Sequence, residues 1–208
     1  MFEQLLKFFV VFFVVVEPIS LAPIFSGLTE GATRAYKHKM ALKAVVIAGL
    51  ILLIFAFGGA RFLDLMGISL EAFRIFGGLL LFLIALEMVY ARQSGTRTSS
   101  SEREESARRA DISVFPLAFP FIAGPGALAT ILLYFGPIGV WGQPVLFLGL
   151  LAAVLLVLVI SLVFMWSSGL MMRVMGVTGA NVTNRLSGVV LGALAVQFVI
   201  DGLRKTFY

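Results

Sequence analysis

Long apolar runs, separated by short polar segments, dominate the first half of the chain. The first run, Phe8–Leu28, is interrupted by Glu17; the second, Ala44–Ala60, contains no charged residue; and the third covers residues 75–91. A membrane-spanning helix needs about 20 mostly apolar residues. Each run therefore predicts one transmembrane helix.

The second half of the chain predicts three more spans. No charged residue occurs from Ile112 to Met172, a stretch of 61 positions that is too long for one helix. Gly136 and Pro137 mark a turn in its middle, so we expect spans at about 113–135 and 145–168. A last apolar run at about 186–203 completes an all-α integral membrane protein with six transmembrane helices.

Composition excludes a water-soluble globular fold and leaves little for enzyme chemistry. Residues of the AVILMFWYC set make up 60% of the chain and charged residues 13%, about half the roughly 25% charge of soluble domains. The chain has no Cys and a single His, His38. Because thiolate or histidine clusters and Ser–His relays are then unavailable, we expect no enzymatic activity, no metal and no other cofactor.

The polar residues also predict domain boundaries and topology. The segment from Ser94 to Asp111 is polar and of mixed charge, which indicates a first membrane repeat at 1–92, a polar cytoplasmic linker at 93–112 and a second membrane repeat at 113–208. Most of the 16 Lys and Arg residues fall in alternate loops, as in cytoplasmic loops of membrane proteins. We therefore expect both termini outside, and we do not interpret the basic charge as nucleic-acid binding.

The two halves of the chain resemble each other at three places in the same order. The matched pairs of segments are Pro18–Pro23 with Pro120–Pro125, Met66–Ser69 with Met175–Thr178, and Arg74–Gly77 with Arg185–Gly188. Because each half has an odd number of predicted spans, the copies must lie in the membrane with opposite orientations. This predicts two inverted three-helix repeats, an arrangement found in many secondary transporters.

Pro and Gly residues are expected to break spans one and four. Pro removes a backbone N–H, and backbone groups freed in this way must line a protein cavity. Glu17 adds a carboxyl near the middle of the membrane, where acids are usually functional; the alternative is a neutral or Arg-paired acid that holds helices together. The predicted substrate-binding residues are Glu17, Pro18, Ser20, Pro23, Ala123, Gly124, Pro125, Gly126 and Gln197.

Charged residues near the ends of spans three and six are assigned a gating or structural role. Arg74 and Arg185 open these two spans and either anchor the helices at the membrane surface or form a gate salt bridge. Asp201 lies near the end of span six, four residues after Gln197 on the same helix face. Gln197 either bonds a neighbouring helix or lines the substrate path.

Three segments resemble the MarC family of six-span bacterial inner-membrane proteins: Phe73–Leu86, Phe115–Ala127 and Arg185–Gly202. The resemblance implies an inner-membrane location, a relation to LysE-type amino-acid exporters, and transport of small neutral amino acids such as alanine and glycine. The family motif D-P-x-G-N-x-P differs here, because Ser20 replaces its Gly and Leu21 replaces its Asn. A further difference is Asp201, where the family usually has Asn.

These features predict a secondary transporter or exporter of small neutral amino acids that works by alternating access. H+ or Na+ is the candidate coupling ion, and the lipid bilayer is the environment. The alternative is an ion channel or a transporter of another small solute. A channel would share the broken helices but would need a continuous polar path, for which the predicted spans contain few polar residues.

Overall fold

The computed structural model describes residues 1–90 and 111–207, and this part of the chain is helical without strands. Residues 93–110 of the predicted linker lie outside the described residues. The elements are α1 (Phe2–Val16), α2 (Pro18–Leu28), α3 (Arg34–Leu65), α4 (Leu70–Tyr90), α5 (Ser113–Ile122), α6 (Pro125–Phe135), α7 (Gly139–Gly142), α8 (Pro144–Trp166) and α9 (Ser168–Phe207).

The helices confirm the predicted membrane class. In the described ranges, five spans are long and apolar enough to cross a membrane, and the number rises to six if the bent pair α5–α6 counts as one. The first of these spans is Phe2–Leu28, which joins α1 and α2, and the last is Asn181–Phe207, the greater part of α9. The chain is therefore an all-α, multi-pass membrane protein.

The first span is broken at Glu17, between α1 and α2. Glu17 has φ 53° and ψ 59° and belongs to neither helix, a left-handed conformation that is uncommon for residues with a side chain. The following Pro18 occupies the first position of α2. Proline is tolerated there, because the first N–H groups of a helix have no partner within it. The predicted break in the first span is present.

The fourth span is irregular before its break. In α5 the backbone is extended at Phe115 and Phe119, and each of these residues is followed by a cis peptide bond to proline. Wide-turn hydrogen bonds also occur, as from the Ala123 amide to the Ala118 carbonyl at 2.8 Å. The helix restarts as α6 after Gly124, and the two segments are bent by 54°.

Aromatic side chains form the centre of the bundle. Phe8 of α1 stacks on Phe12 and meets the Phe135 ring of α6 edge-on, and Phe135 in turn packs against Phe147 of α8. All four rings are buried. This cluster packs α1, α6 and α8 against one another at the end of α6 that lies opposite its break.

Helices α4 and α9 pack closely and antiparallel along a seam of glycines. A Cβ added to Gly78 would lie 2.8 Å from the Ala195 carbonyl oxygen, and one added to Gly188 would lie 3.0 Å from the Ala85 carbonyl oxygen. The two helices therefore run in opposite directions, since a later residue of α4 contacts an earlier residue of α9. Small residues allow such backbone approach in membrane helices, where packing rather than hydrophobicity drives association.

We expect Gly78→Ala to destabilise the protein by about 1–3 kcal/mol, because the added methyl group meets the backbone of α9. The midpoint of thermal unfolding in detergent should fall by roughly 2–10 °C. Gly58→Ala in α3 is the matched control, since a Cβ there would meet nothing within 4 Å. Equal melting midpoints for the two variants would contradict the glycine seam.

Candidate functional site

Glu17 provides a buried carboxyl group at the first break. The residue is 5% exposed. Its backbone N–H donates to the Phe13 carbonyl at 2.9 Å, and its carbonyl accepts from the Ser20 amide at 3.0 Å and the Leu21 amide at 3.2 Å. Glu17 is thus the C-cap of α1 and the N-cap of α2. Its N–H bonds to the last turn of α1, and its carbonyl bonds to the first turn of α2.

The two prolines of the first motif have different positions. Pro18 is buried at the first position of α2, whereas Pro23 lies inside α2 and is half-buried. The break in the first span therefore lies at Glu17 and Pro18, and α2 continues through Pro23.

The second break is formed by Ala123 and Gly124, both buried. Gly124 has extended backbone angles and precedes Pro125, the half-buried first residue of α6. A Cβ added to Gly124 would lie 2.2 Å from the Pro120 carbonyl oxygen. Because no side chain larger than hydrogen fits without a backbone shift, glycine is required at this turn. No side chain caps the start of α6.

The structure brings the two breaks together. A Cβ added to Gly126, in the first turn of α6, would lie 3.2 Å from Val15 Cγ1 and 2.7 Å from Leu81 Cδ2. Val15 is two residues before Glu17 on α1. The end of α1 and the first turn of α6 therefore lie side by side, next to Leu81 of α4.

Ser20 makes a contact that the sequence did not reveal. Its hydroxyl lies 3.5 Å from the amide oxygen of Asn184, which α9 contributes. Both residues are half-buried. Sequence reasoning missed Asn184, and the available signal was a polar residue directly before Arg185 at the start of the last apolar run.

Gln197 and Asp201 lie apart from the contacts that join the breaks. Gln197 is exposed, and its side-chain N–H donates to Asp201 Oδ1 at 2.8 Å within α9. The two side chains therefore lie on the same face of α9, as their four-residue spacing predicted. The hydrogen bond that the Gln197 side chain donates is thus within α9 and involves no residue of either break.

The two arginines assigned a gating or structural role differ in environment. Arg74 of α4 is half-buried and Arg185 of α9 is exposed, and neither forms a salt bridge with a residue in the described ranges. Arg74 and Asp201 both act electrostatically on the hydroxyl of Tyr134 in α6. These three residues therefore lie near one another at one end of the bundle.

An ion pair that the sequence did not suggest connects α3 with the start of the fourth span. The Asp111 carboxylate accepts hydrogen bonds from the Lys43 ammonium group, from the Ser113 amide at 3.0 Å and from the Ser113 hydroxyl. The Lys43 bond, followed by the two from Ser113, holds the pKa of Asp111 well below its usual value. Asp111 thus links Ser113, the first residue of α5, to Lys43 of α3.

We expect Asp111→Asn to lower stability by about 0.2–1 kcal/mol at neutral pH, since the pair is half-exposed. A carboxyl group with a lowered folded-state pKa stabilises fully above its unfolded pKa, and this contribution is lost as the pH falls toward the folded value. The difference between wild-type and variant melting midpoints should therefore shrink below about pH 4. A difference independent of pH from 7 to 3 would contradict this role.

No three His, Cys, Asp or Glu side chains in residues 1–90 and 111–207 are grouped so as to hold a metal ion. Glu17 lies at the first break, whereas Asp111 lies just before α5, and the two acidic side chains have different surroundings. The chemistry available at the breaks is thus hydrogen bonding by backbone and side-chain groups together with one buried carboxyl group.

Comparison with known proteins gives matches over essentially the whole chain. The family profile described as "MarC family integral membrane protein" matches residues 2–207. The UPF0056 membrane protein YhcE of Escherichia coli is 32% identical over 99% of this chain and 94% of its own length. A UPF0056 membrane protein of Aquifex aeolicus is 36% identical, with 96% and 92% covered.

A further relative matches to the same extent. The UPF0056 membrane protein YvbG of Bacillus subtilis is 35% identical over 100% of this chain and 97% of its own length. No solved structure matches significantly. With a family profile covering nearly every residue and relatives above 30% identity, the chain belongs to the MarC family of integral membrane proteins.

Proposed function

We propose that this protein is a secondary transporter of small neutral amino acids that works by alternating access across the bacterial cytoplasmic membrane. The observation that carries the proposal is the meeting of two broken spans, one from each half of the chain, beside a buried carboxyl group. Discontinuous helices of this kind form the midplane sites of many secondary transporters.

The two half-helices after the breaks support an internal repeat. Each of α2 and α6 is 11 residues long and starts with a proline at its first position, Pro18 and Pro125. This differs from the pairing suggested by proline spacing, in which Pro18 corresponds to Pro120. In the structure, Pro18 corresponds to Pro125 because each is the first residue of a half-helix. The other two prolines, Pro23 and Pro120, lie inside α2 and α5.

The glycines of the second matched pair support the same repeat. Gly67 follows α3 with φ 67°, and Gly176 interrupts α9 with φ 61°. Both positions have a left-handed backbone that glycine adopts at little cost. The Met-Gly dipeptides of the two halves thus mark turns before corresponding apolar segments.

The packing directions of the helices support opposite orientations of the halves. His38 near the start of α3 stacks on Trp166 at the end of α8, so these two helices are antiparallel. In the same way Phe8 of α1 meets Tyr134 near the end of α6, while Val15 lies at the start of α6. Helices α4 and α9 are antiparallel as well. Antiparallel packing of each pair of corresponding spans is what an inverted repeat requires.

The groups at the breaks suit a zwitterion. A carboxyl group at Glu17 can pair with an ammonium group in a region where an unpaired charge is costly. The start of α6 has no side-chain cap, so its backbone N–H groups are candidates to bind a carboxylate, as are polar side chains beside the first break. We further propose that Glu17 carries the coupling proton, with Na+ as the alternative, and that both termini lie outside.

Counterflow tests the transport proposal without knowledge of the coupling ion. Purified protein in liposomes loaded with unlabelled alanine should take up labelled alanine, glycine and serine in a saturable manner, whereas protein-free liposomes should not. A folded, monodisperse preparation that exchanges none of the three amino acids would overturn the proposal.

A further inference from the structure

A hydrogen bond between α2 and α9 lies beside the first break. The Ser20 hydroxyl and the Asn184 amide oxygen are 3.5 Å apart, and both side chains are half-buried. The two residues are separated by 164 positions in the chain and come from different halves of the proposed repeat. The bond therefore joins two parts that alternating access would move relative to each other.

Ser20 is fixed to the same backbone turn as Glu17. Its amide donates to the Glu17 carbonyl at 3.0 Å. The Ser20 side chain therefore belongs to the first turn of α2. Because α2 packs against α9, the Asn184 amide reaches this turn from the neighbouring helix. The Ser20 hydroxyl and the Asn184 carboxamide thus lie about one helical turn from the residue that carries the buried carboxyl group.

The hydrogen-bonding capacities of these groups are complementary to a zwitterion. The Asn184 side chain has two N–H donors and the Ser20 hydroxyl has one, whereas a carboxylate only accepts. The Glu17 carboxylate, when ionised, is an acceptor that suits an ammonium group. The Ser20–Asn184 distance is at the long limit for a hydrogen bond, so a ligand carboxylate can replace the contact at small cost.

We propose that Asn184 and Ser20 form the subsite that binds the carboxylate of the transported solute, while Glu17 binds its ammonium group. This inference rests on the proposed transport of small neutral amino acids and identifies a residue on α9 that determines substrate recognition. The matching solute is a small α-amino acid in its zwitterionic form.

The isosteric variant Asn184→Asp tests the subsite by placing a negative charge beside the substrate carboxylate. We expect the KM for alanine counterflow to rise at least tenfold, since like charges repel strongly in a region of low dielectric, while the maximal rate changes less than about twofold. Asn181→Asp is the matched control, because Asn181 is exposed one turn earlier on α9. Its KM should equal that of the wild type.

Ser20→Ala gives a second readout if Asn184→Asp does not yield folded protein. Loss of one hydrogen bond to a charged group should raise the alanine KM about tenfold. Wild-type KM values in folded Asn184→Asp, or in Ser20→Ala where the first variant fails to fold, would overturn the subsite and leave the transport proposal intact. Absence of counterflow in the wild-type protein would overturn both.

Discussion

Replacing Glu17 by Gln is expected to abolish alanine uptake driven by a pH gradient and to retain exchange of alanine with a raised KM, because the amide oxygen of Gln still accepts a hydrogen bond from the ammonium group. Glutamine keeps the size of the side chain, and the backbone bonds of residue 17 to Phe13, Ser20 and Leu21 do not involve the side chain. The variant therefore keeps the break between α1 and α2 but cannot take up or release a proton. Gradient-driven uptake should fall at least tenfold, as expected when an essential proton carrier is removed.

The measurement is uptake of labelled alanine into proteoliposomes with an imposed pH difference, beside counterflow in the same preparation. Glu87→Gln is the matched control, because Glu87 is also an acid on a transmembrane helix but is only half-buried in α4. It should keep gradient-driven uptake. Unchanged pH dependence in Glu17→Gln would exclude Glu17 as the proton carrier, and Na+ would then be tested as the coupling ion.

Gly124→Ala is expected to eliminate both exchange and gradient-driven uptake. The added methyl group would lie 2.2 Å from the Pro120 carbonyl oxygen, so the backbone between α5 and α6 must move. A displacement of about 1 Å at a binding site can cost about a hundredfold in rate. We therefore expect counterflow to fall at least tenfold, even where the protein remains folded.

Gly27→Ala serves as the control for this substitution. Gly27 lies in α2, the half-helix that corresponds to α6, and a Cβ there would meet nothing within 4 Å. Thermal unfolding and size-exclusion chromatography separate a misfolded Gly124→Ala protein from a folded but inactive one. Normal counterflow in folded Gly124→Ala would place the substrate path away from the second break.

Residues at the breaks show how far sequence reasoning extends. Glu17, Pro18 and Gly124 lie where the expected breaks occur, because proline geometry and the need for glycine act over a few residues. The position of Pro125 relative to Pro18 was not evident from spacing alone. Proline spacing does not distinguish a residue that starts a helix from one inside it, and only the backbone of α2 and α6 makes this distinction.

The sequence by itself determined the membrane class, the approximate spans and the two breaks, since these follow from apolar run length and from local backbone chemistry. Only the tertiary structure decided which distant residues meet: Asn184 at Ser20, Lys43 at Asp111, and Val15 at Gly126. It also placed Gln197 on an exposed face. Such contacts depend on how helices pack and rotate against one another, and side-chain ridges and grooves allow several arrangements for the same apolar pattern.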